Sequence, residues 1–540
     1  MASDSAVSED EMQSESDTSL SSEGGDAVQS ETDAVEARLE DALERVAHGA
    51  TVSVPSILLQ RGLTLAFTAV LTNGFAPSAY GLFALARRLQ RFPLWVTLGF
   101  RSGLSRFLPN AESDAERNAL ATFASLLLVG VASLFGIALF TAAPLVTSVT
   151  DKGAQFRLFL RIFAVGLPAA VWLFTVTEIF RGLEAVGPLN LTLRVGFPVA
   201  QLLVGVVGTV VFHDLALVAA SVLVSMGLVG VAAAIWLVRE RGFRPRLRGP
   251  DASKLRKKYL RFTLPLFLGG FATTTQRLGF YPLIALFLSD VAGGVFAIGV
   301  LLGTLVRLPL MGINQFIPPV AAALNEENRD EALRRLYHVT SRLVLVGVTA
   351  LAIPVVVFRQ TVMGLFGPTF VQYAPLLPGF VVAQFAACAA GSVGILLTMT
   401  DNQRALLVVN VAITAFLTVT AIPLTLNFGL PGLVASYLLM LTVNNGLEVA
   451  VLYYLEGLQP FTKLHAKPLL AAVPSSLVAL GVRVFLSGVL ALVVGTIVGL
   501  VVYAGCLRLL GFTRVERRLV TTLVGRYREV VSGKWRALGQ

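Results

Sequence analysis

The 540 residues are 55% hydrophobic and only 14% charged, with a mean hydropathy of +0.74, whereas a soluble domain carries about 25% charged residues. This excludes a soluble globular chain and predicts an all-α polytopic membrane protein. Two cysteines and four scattered histidines exclude a disulfide framework and disfavour a metal centre, and a net charge of +10 in so apolar a chain points to basic loops at a membrane face rather than to nucleic acid.

Residues 1–50 hold 14 acidic and two basic side chains, and the first thirty have almost no large apolar residue. They are expected to form a largely disordered cytoplasmic tail, unable to bury enough surface to fold. With no basic n-region and no adjacent apolar run they do not read as a signal peptide. Val35, Leu39, Leu43 and Val46 recur at helical spacing and predict a short amphipathic helix leading to the membrane. Apolar windows of about 20 residues then predict fourteen spans, at 52–73, 79–100, 118–143, 158–180, 187–211, 215–238, 262–288, 292–320, 340–358, 372–398, 405–426, 430–454, 467–486 and 487–510. Only Arg483 and Ser487-Gly488 part the last two.

Lysine and arginine fill alternate loops. The stretch 239–261 carries ten, from Arg239 to Arg261; 321–339 carries Arg329, Arg334 and Arg335; and Arg101, Arg106, Arg117, Arg404, Lys463 and Lys467 fall on the same side. The opposite turns 74–78, 212–214, 289–291 and 427–429 carry none, with Lys152 and Arg157 as exceptions. The positive-inside rule then places both termini in the cytoplasm of a multi-pass cell-membrane protein. Beyond Leu510, Val515, Leu519, Leu523, Tyr527, Val530 and Trp535 make one helix face among six basic residues, which predicts a basic amphipathic helix on the inner leaflet.

The first two spans are unusual. Arg61 lies in one and Arg87, Arg88 and Arg91 in the next. Facing lipid, four such residues would cost about 10–14 kcal/mol if additive, so they are expected to line a wet or protein-walled interior. Arg87, Arg88 and Arg91 cover about 100° of helix surface and can present one cationic face. The pattern recurs. Gln60-Arg61 is followed by Arg91-Phe92-Pro93-Leu94, and Gln276-Arg277 by Arg307-Leu308-Pro309-Leu310, with Gly81-Leu-Phe-Ala and Gly294-Val-Phe-Ala in between. The tetrapeptides are out of register, so the copies align only with compensating gaps. Two pseudo-symmetric six-helix bundles follow, at 51–238 and 262–458, joined by a basic cytoplasmic linker, 239–261. Two extra transmembrane helices at 459–511 and the amphipathic helix at 512–540 complete the chain. Repeats of this kind are characteristic of transporters whose site lies between the halves.

Tyr80-Gly-Leu-Phe-Ala after an Ala-Pro-Ser turn, the Leu-Gly-Phe to Arg106-Phe-Leu-Pro segment, Leu365-Phe-Gly-Pro-Thr-Phe and Asn427-Phe-Gly-Leu-Pro-Gly-Leu resemble the multidrug/oligosaccharidyl-lipid/polysaccharide exporter superfamily. The nearest branch is the polysaccharide-biosynthesis (Wzx-type) flippases, over about residues 50–460. In composition, the acidic tail and the excess of 36 arginines over seven lysines resemble haloarchaeal proteins. The resemblance implies two V-shaped bundles around a central cavity, alternating access, and export of polyprenyl- or dolichyl-linked sugars, with glycosyltransferases of the same pathway as partners.

Guanidiniums in a low-dielectric cavity suit a phosphate or diphosphate through bidentate charge-assisted bonds. Arg61, Arg87, Arg88, Arg91, Arg277 and Arg307 are therefore the candidate substrate-binding residues, with Asn314 and Gln315, near a helix break or end, beside them. Some of these arginines could instead snorkel, or pair with the intramembrane acids Glu178 and Glu448. Glu178 allows an i,i+3 pair with Arg181. Glu448, near Asn444, could be a carboxylate coupling transport to Na+ or H+. Thr273, Thr274, Thr275 and Asn410 could add oxygen ligands, although helix–helix hydrogen bonding is their ordinary role. No nucleotide-binding loop occurs, which disfavours ATP-driven transport by this chain alone. The leading expectation is a flippase for lipid-linked saccharides and not an enzyme. A cation-coupled multidrug exporter is the alternative, and a membrane glycosyltransferase or polymerase is disfavoured because the short external loops lack catalytic carboxylates.

Overall fold

The computed structural model describes residues 55–247 and 252–511, apart from 315, 316 and 328. The acidic tail, the amphipathic helix expected over 512–540 and Gln315 lie outside the described residues.

Joining consecutive helical pieces yields fourteen rods. α1 covers 55–74. α2 is Pro77–Val96 continued by Leu98–Phe107, α3 is Asp114–Thr150, α4 is Gly153–Val165 with Leu167–Gly182, α5 runs over 186–212, and α6 is Leu215–Arg241. α7 is Ala252–Leu278 with Phe280–Phe287, and α8 is Asp290–Val306, Leu308–Ile313 and Ile317–Glu326. α9 is Asp330–Val357 with Arg359–Gly364, and α10 is Leu377–Ala389 with Val393–Met399. α11 and α12 are the arms of Gln403–Glu456 on either side of Gly429. α13 is Ala466–Phe485 and α14 is Gly488–Leu510. Among the described residues, eight single helices are long and apolar enough to cross a membrane, and the bent α4 makes a ninth. Among the described residues there are no strands. The chain is a polytopic, all-α membrane protein.

Local chemistry sets the ends. Ser113 caps α3 by accepting from the Glu116 amide at 3.2 Å, and Asp214 caps α6 through the Ala216 and Leu217 amides. Gly429 turns α11 into α12 at φ 61° and ψ −138°, a region open chiefly to glycine. The 42° bend in α4 falls at Gly166, where Pro168 lacks the amide needed to continue the ladder. Inside α1 the hydroxyls of Thr64, Thr68 and Thr72 bond carbonyls four residues back, which satisfies them without water. Leu134, Ile137, Val165, Val419, Val484 and Phe485 are among many large apolar side chains left exposed, as a lipid-facing surface requires.

Two edges differ from expectation, whereas the expected pair of C-terminal helices is observed. α7 starts at Ala252, inside the stretch expected as linker, because a basic helix can project beyond the apolar zone; its Tyr259 is buried and donates to the Phe100 carbonyl at 2.7 Å. Arg101, expected in a loop, is 5% exposed within α2. It donates to the Leu94 carbonyl at 2.8 Å and stacks on Phe174, so a charge that read as a loop residue is a buried helix fastener. The last apolar stretch is two separate helices that pack on each other and on α9. Gly495 of α14 admits Phe358, and Arg483 of α13 bonds the Val357 carbonyl.

α2 is an enclosed rod, packed against α4, α7 and α8. A Cβ on its Gly81 would lie 1.9 Å from the Asp290 carbonyl oxygen of α8, and one on Gly99 would lie 2.3 Å from the Phe267 amide of α7. Gly81 and Gly294, the first residues of the two recurring tetrapeptides, touch each other. Phe83 packs on Phe163 of α4 and Phe296 on Phe380 of α10. Beside Gly81, Lys152 is 6% exposed; it pairs with Asp290 at 3.0 Å and donates to the Leu288 carbonyl. This accounts for a lysine at the otherwise uncharged end. We expect Gly81→Ala to lower the thermal midpoint of the detergent-solubilised protein. Gly130→Ala, whose Cβ meets nothing within 4 Å, should instead stabilise α3 by about 0.5–1 kcal/mol; both are read by thermal unfolding.

Candidate functional site

Between its contact with α8 at Gly81 and its contact with α7 at Gly99, α2 carries Arg87, Arg88 and Arg91. α1 adds Arg61, α7 adds Arg277 at the end of its first piece, and α8 adds Arg307 at the break after Val306. The six converge. Arg61 feels the charges of Arg88 and Arg307, Arg91 those of Arg61, Arg87 and Arg88, and Arg277 that of Arg307. Among the described residues none of the six pairs with a carboxylate. Arg61, Arg87, Arg88, Arg91 and Arg307 are half-buried and Arg277 is exposed, so their guanidiniums are not sealed off.

Aromatic faces hold Arg87, Arg88 and Arg277 in place of acids. Arg87 stays on its own side, over Phe67 at 5.3 Å and Phe83 at 5.9 Å. Arg88 reaches from α2 to the ring of Tyr281 on α7 at 5.2 Å, and Arg277 reaches back from α7 to Trp95 on α2 at 4.8 Å. Arg61 lies with a guanidinium nitrogen 3.6 Å from the Met311 sulfur of α8. Each cation–π contact contributes about 0.5–2 kcal/mol yet leaves the N–H edges of the guanidinium available. The adjacent arginines Arg87 and Arg88 thus point to different partners, which spacing on a helix does not reveal.

The intramembrane acids make their hydrogen bonds to other groups, although Glu448 also lies within electrostatic reach of Arg307. Glu178 accepts both contacts from Arg181, each 2.8 Å, which is the i,i+3 pair. Glu448 of α12 is 8% exposed and accepts from Asn444 at 2.8 Å. Gly394 of α10 faces that carboxylate, with room for only 3.2 Å between a Cβ and Oε2. The Asn314 side-chain oxygen is taken by Ser392 of α10 at 2.5 Å. The Asn410 backbone carbonyl accepts from Gln276, which links α11 to α7, whereas the Thr275 hydroxyl bonds the Phe271 carbonyl within α7 and links no helices. Sequence reading did not single out Tyr281, Trp95, Phe67 or Phe83; the only signal was an aromatic pair, Phe280-Tyr281, shortly after Arg277.

The sequence model of the polysaccharide biosynthesis protein family matches residues 46–324, a stretch that contains all six arginines. No curated protein matches the chain. Among solved structures, the lipid II flippase MurJ in an inward closed conformation aligns with a TM-score of 0.67 at 10% identity, over 84% of this chain and 96% of its own. A multidrug resistance MATE family transporter in an inward-facing conformation aligns at 0.64 and 16% identity, over 76% and 98%. A transporter from Pyrococcus furiosus, reported with a binding pocket of reverse polarity, aligns at 0.54 and 16% identity, over 77% and 95%. These likenesses establish the fold of the multidrug/oligosaccharidyl-lipid/polysaccharide exporter superfamily.

Like charges gathered without counter-ions destabilise the ligand-free protein. Arg91→Met is therefore expected to raise its melting temperature by a few degrees. Arg181→Met, which leaves Glu178 buried and unpaired, should lower stability by about 1–3 kcal/mol. Thermal unfolding of the purified variants checks both signs.

Proposed function

The chain belongs to the polysaccharide biosynthesis protein family, and on that premise we propose that it is a flippase for polyprenyl- or dolichyl-(di)phosphate-linked saccharides. One observation carries the reading: six arginines from α1, α2, α7 and α8 are linked by neighbour-to-neighbour electrostatic contact, and among the described residues none is salt-bridged and the one acid within electrostatic reach is Glu448, beside Arg307. An interior of that sign repels cations and is complementary to an anionic headgroup. Arginine adds bidentate geometry matched to phosphate oxygens.

In this proposal residues 51–238 and 262–458 form two halves with the arginines between them, and both termini are cytoplasmic. The headgroup enters from the inner leaflet, the arginines hold its phosphate, and the lipid tail remains in the bilayer. At the end carrying Gly81, α2 and α8 meet closely and Lys152 pairs with Asp290; parting that contact releases the sugar outward. Glu448 with Asn444 is the pair we propose for coupling to Na+ or H+. Glycosyltransferases of the same pathway would supply the substrate. A multidrug exporter is disfavoured because the acids a cationic drug needs are committed, Glu178 to Arg181 and Glu448 to Asn444.

A charge-assisted contact contributes about 1.5–3 kcal/mol, so losing two costs at least tenfold in binding. Arg91→Ala combined with Arg307→Ala should cut translocation of lipid-linked saccharide in reconstituted vesicles at least tenfold, and unchanged flux would overturn the reading. In cells lacking the protein, lipid-linked saccharide should accumulate on the cytoplasmic leaflet.

A further inference from the structure

We propose that the Tyr281 hydroxyl is a substrate-contacting donor of this site, giving its hydrogen bond to the anionic oxygens that Arg88 and Arg91 attract. The proposal rests on the lipid-phosphate reading above.

Tyr281 sits in the second piece of α7, just past the break at Gly279, and is 2% exposed. Its ring is fixed on both sides, under the Arg88 guanidinium at 5.2 Å and edge-on to Phe296 at 5.5 Å. Yet its Oη has no hydrogen-bond partner among the described residues. Four other buried tyrosines have one. Tyr259 donates to the Phe100 carbonyl, Tyr337 to the Ala390 carbonyl and Tyr503 to the Val346 carbonyl, and Tyr437 accepts from the Gln384 amide. A buried hydroxyl left unmet is disfavoured unless something outside the fold meets it.

The surroundings specify what that is. The charged neighbours that Tyr281 feels are the cations Arg88 and Arg91. Guanidiniums only donate, so the missing partner is an acceptor, and two cations make it an anionic one. A phosphate or diphosphate oxygen satisfies all three donors together. Tyr281 comes from α7 while Arg88 and Arg91 come from α2, so one oxygen cluster would bind the two helices at once. The ring also orients Arg88, and the two roles separate by substitution. Tyr281→Phe removes the hydroxyl and keeps the ring, whereas Tyr281→Leu removes both.

The test measures binding of polyprenyl diphosphate, with uncharged polyprenol as control, to the full-length protein in nanodiscs, alongside the melting temperature without ligand. Tyr281→Phe should weaken diphosphate binding five- to tenfold, leave polyprenol binding unchanged and not lower the melting temperature; Tyr281→Leu should weaken it further. Two results would overturn the proposal. One is diphosphate affinity equal to wild type in Tyr281→Phe while Arg91→Ala is weakened, which leaves the lipid-phosphate reading standing. The other is a lowered melting temperature or loss of folding in Tyr281→Phe, which would mean the hydroxyl serves the protein itself. If the wild type fails to prefer diphosphate over polyprenol, both the proposal and the reading beneath it fall.

Discussion

Six positive charges held together in an apolar bundle without a salt-bridged counter-ion among the described residues are the constraint on which the rest of this structure depends. Mutual repulsion and lost hydration both oppose that arrangement. The protein offsets part of the cost with aromatic faces against Arg87, Arg88 and Arg277, and it sets three of the six charges on the stretch of α2 between two close helix contacts. Gly81 lets α2 approach α8, and Gly99 lets it approach α7. With any larger residue at either place the helices would separate and the arginines would lose their common centre.

The cation–π contacts differ in what they join. Arg87 on Phe67 and Phe83 ties α2 to α1 and to itself. Arg88 on Tyr281 and Arg277 on Trp95 form a reciprocal exchange between α2 and α7. A phosphate engaging the exchanged pair would act on two helices together, which is how a small ligand can bias the larger arrangement of a transporter. The arginines therefore couple binding to helix position as well as supplying charge.

Much of the fold was legible in the sequence because the bilayer imposes a length. Apolar windows located the rods to within a few residues in most cases. The edges that moved did so for a reason the window cannot see. α7 begins among lysines and arginines because a helix may continue into water, and Arg101 left its expected loop because Phe174 and the Leu94 carbonyl receive it. In the candidate site, the arginines themselves stood out by their cost in lipid. Tyr281 and Trp95 did not, since aromatic residues in an apolar span look like ordinary packing.

The sequence by itself determined the membrane class, the order of the rods, the positions of the intramembrane charges and the recurrence that relates Arg61 and Arg91 to Arg277 and Arg307. These follow from composition and from helical period, which are local properties of the chain. Only the tertiary structure decided that Arg87 and Arg88 diverge, that Gly81 and Gly294 touch, and that Lys152 finds Asp290 across a gap of more than a hundred residues in sequence. The helical period fixes which face a side chain occupies. It does not fix which other helix that face will meet, and here that choice separates a charge held for a ligand from one already neutralised.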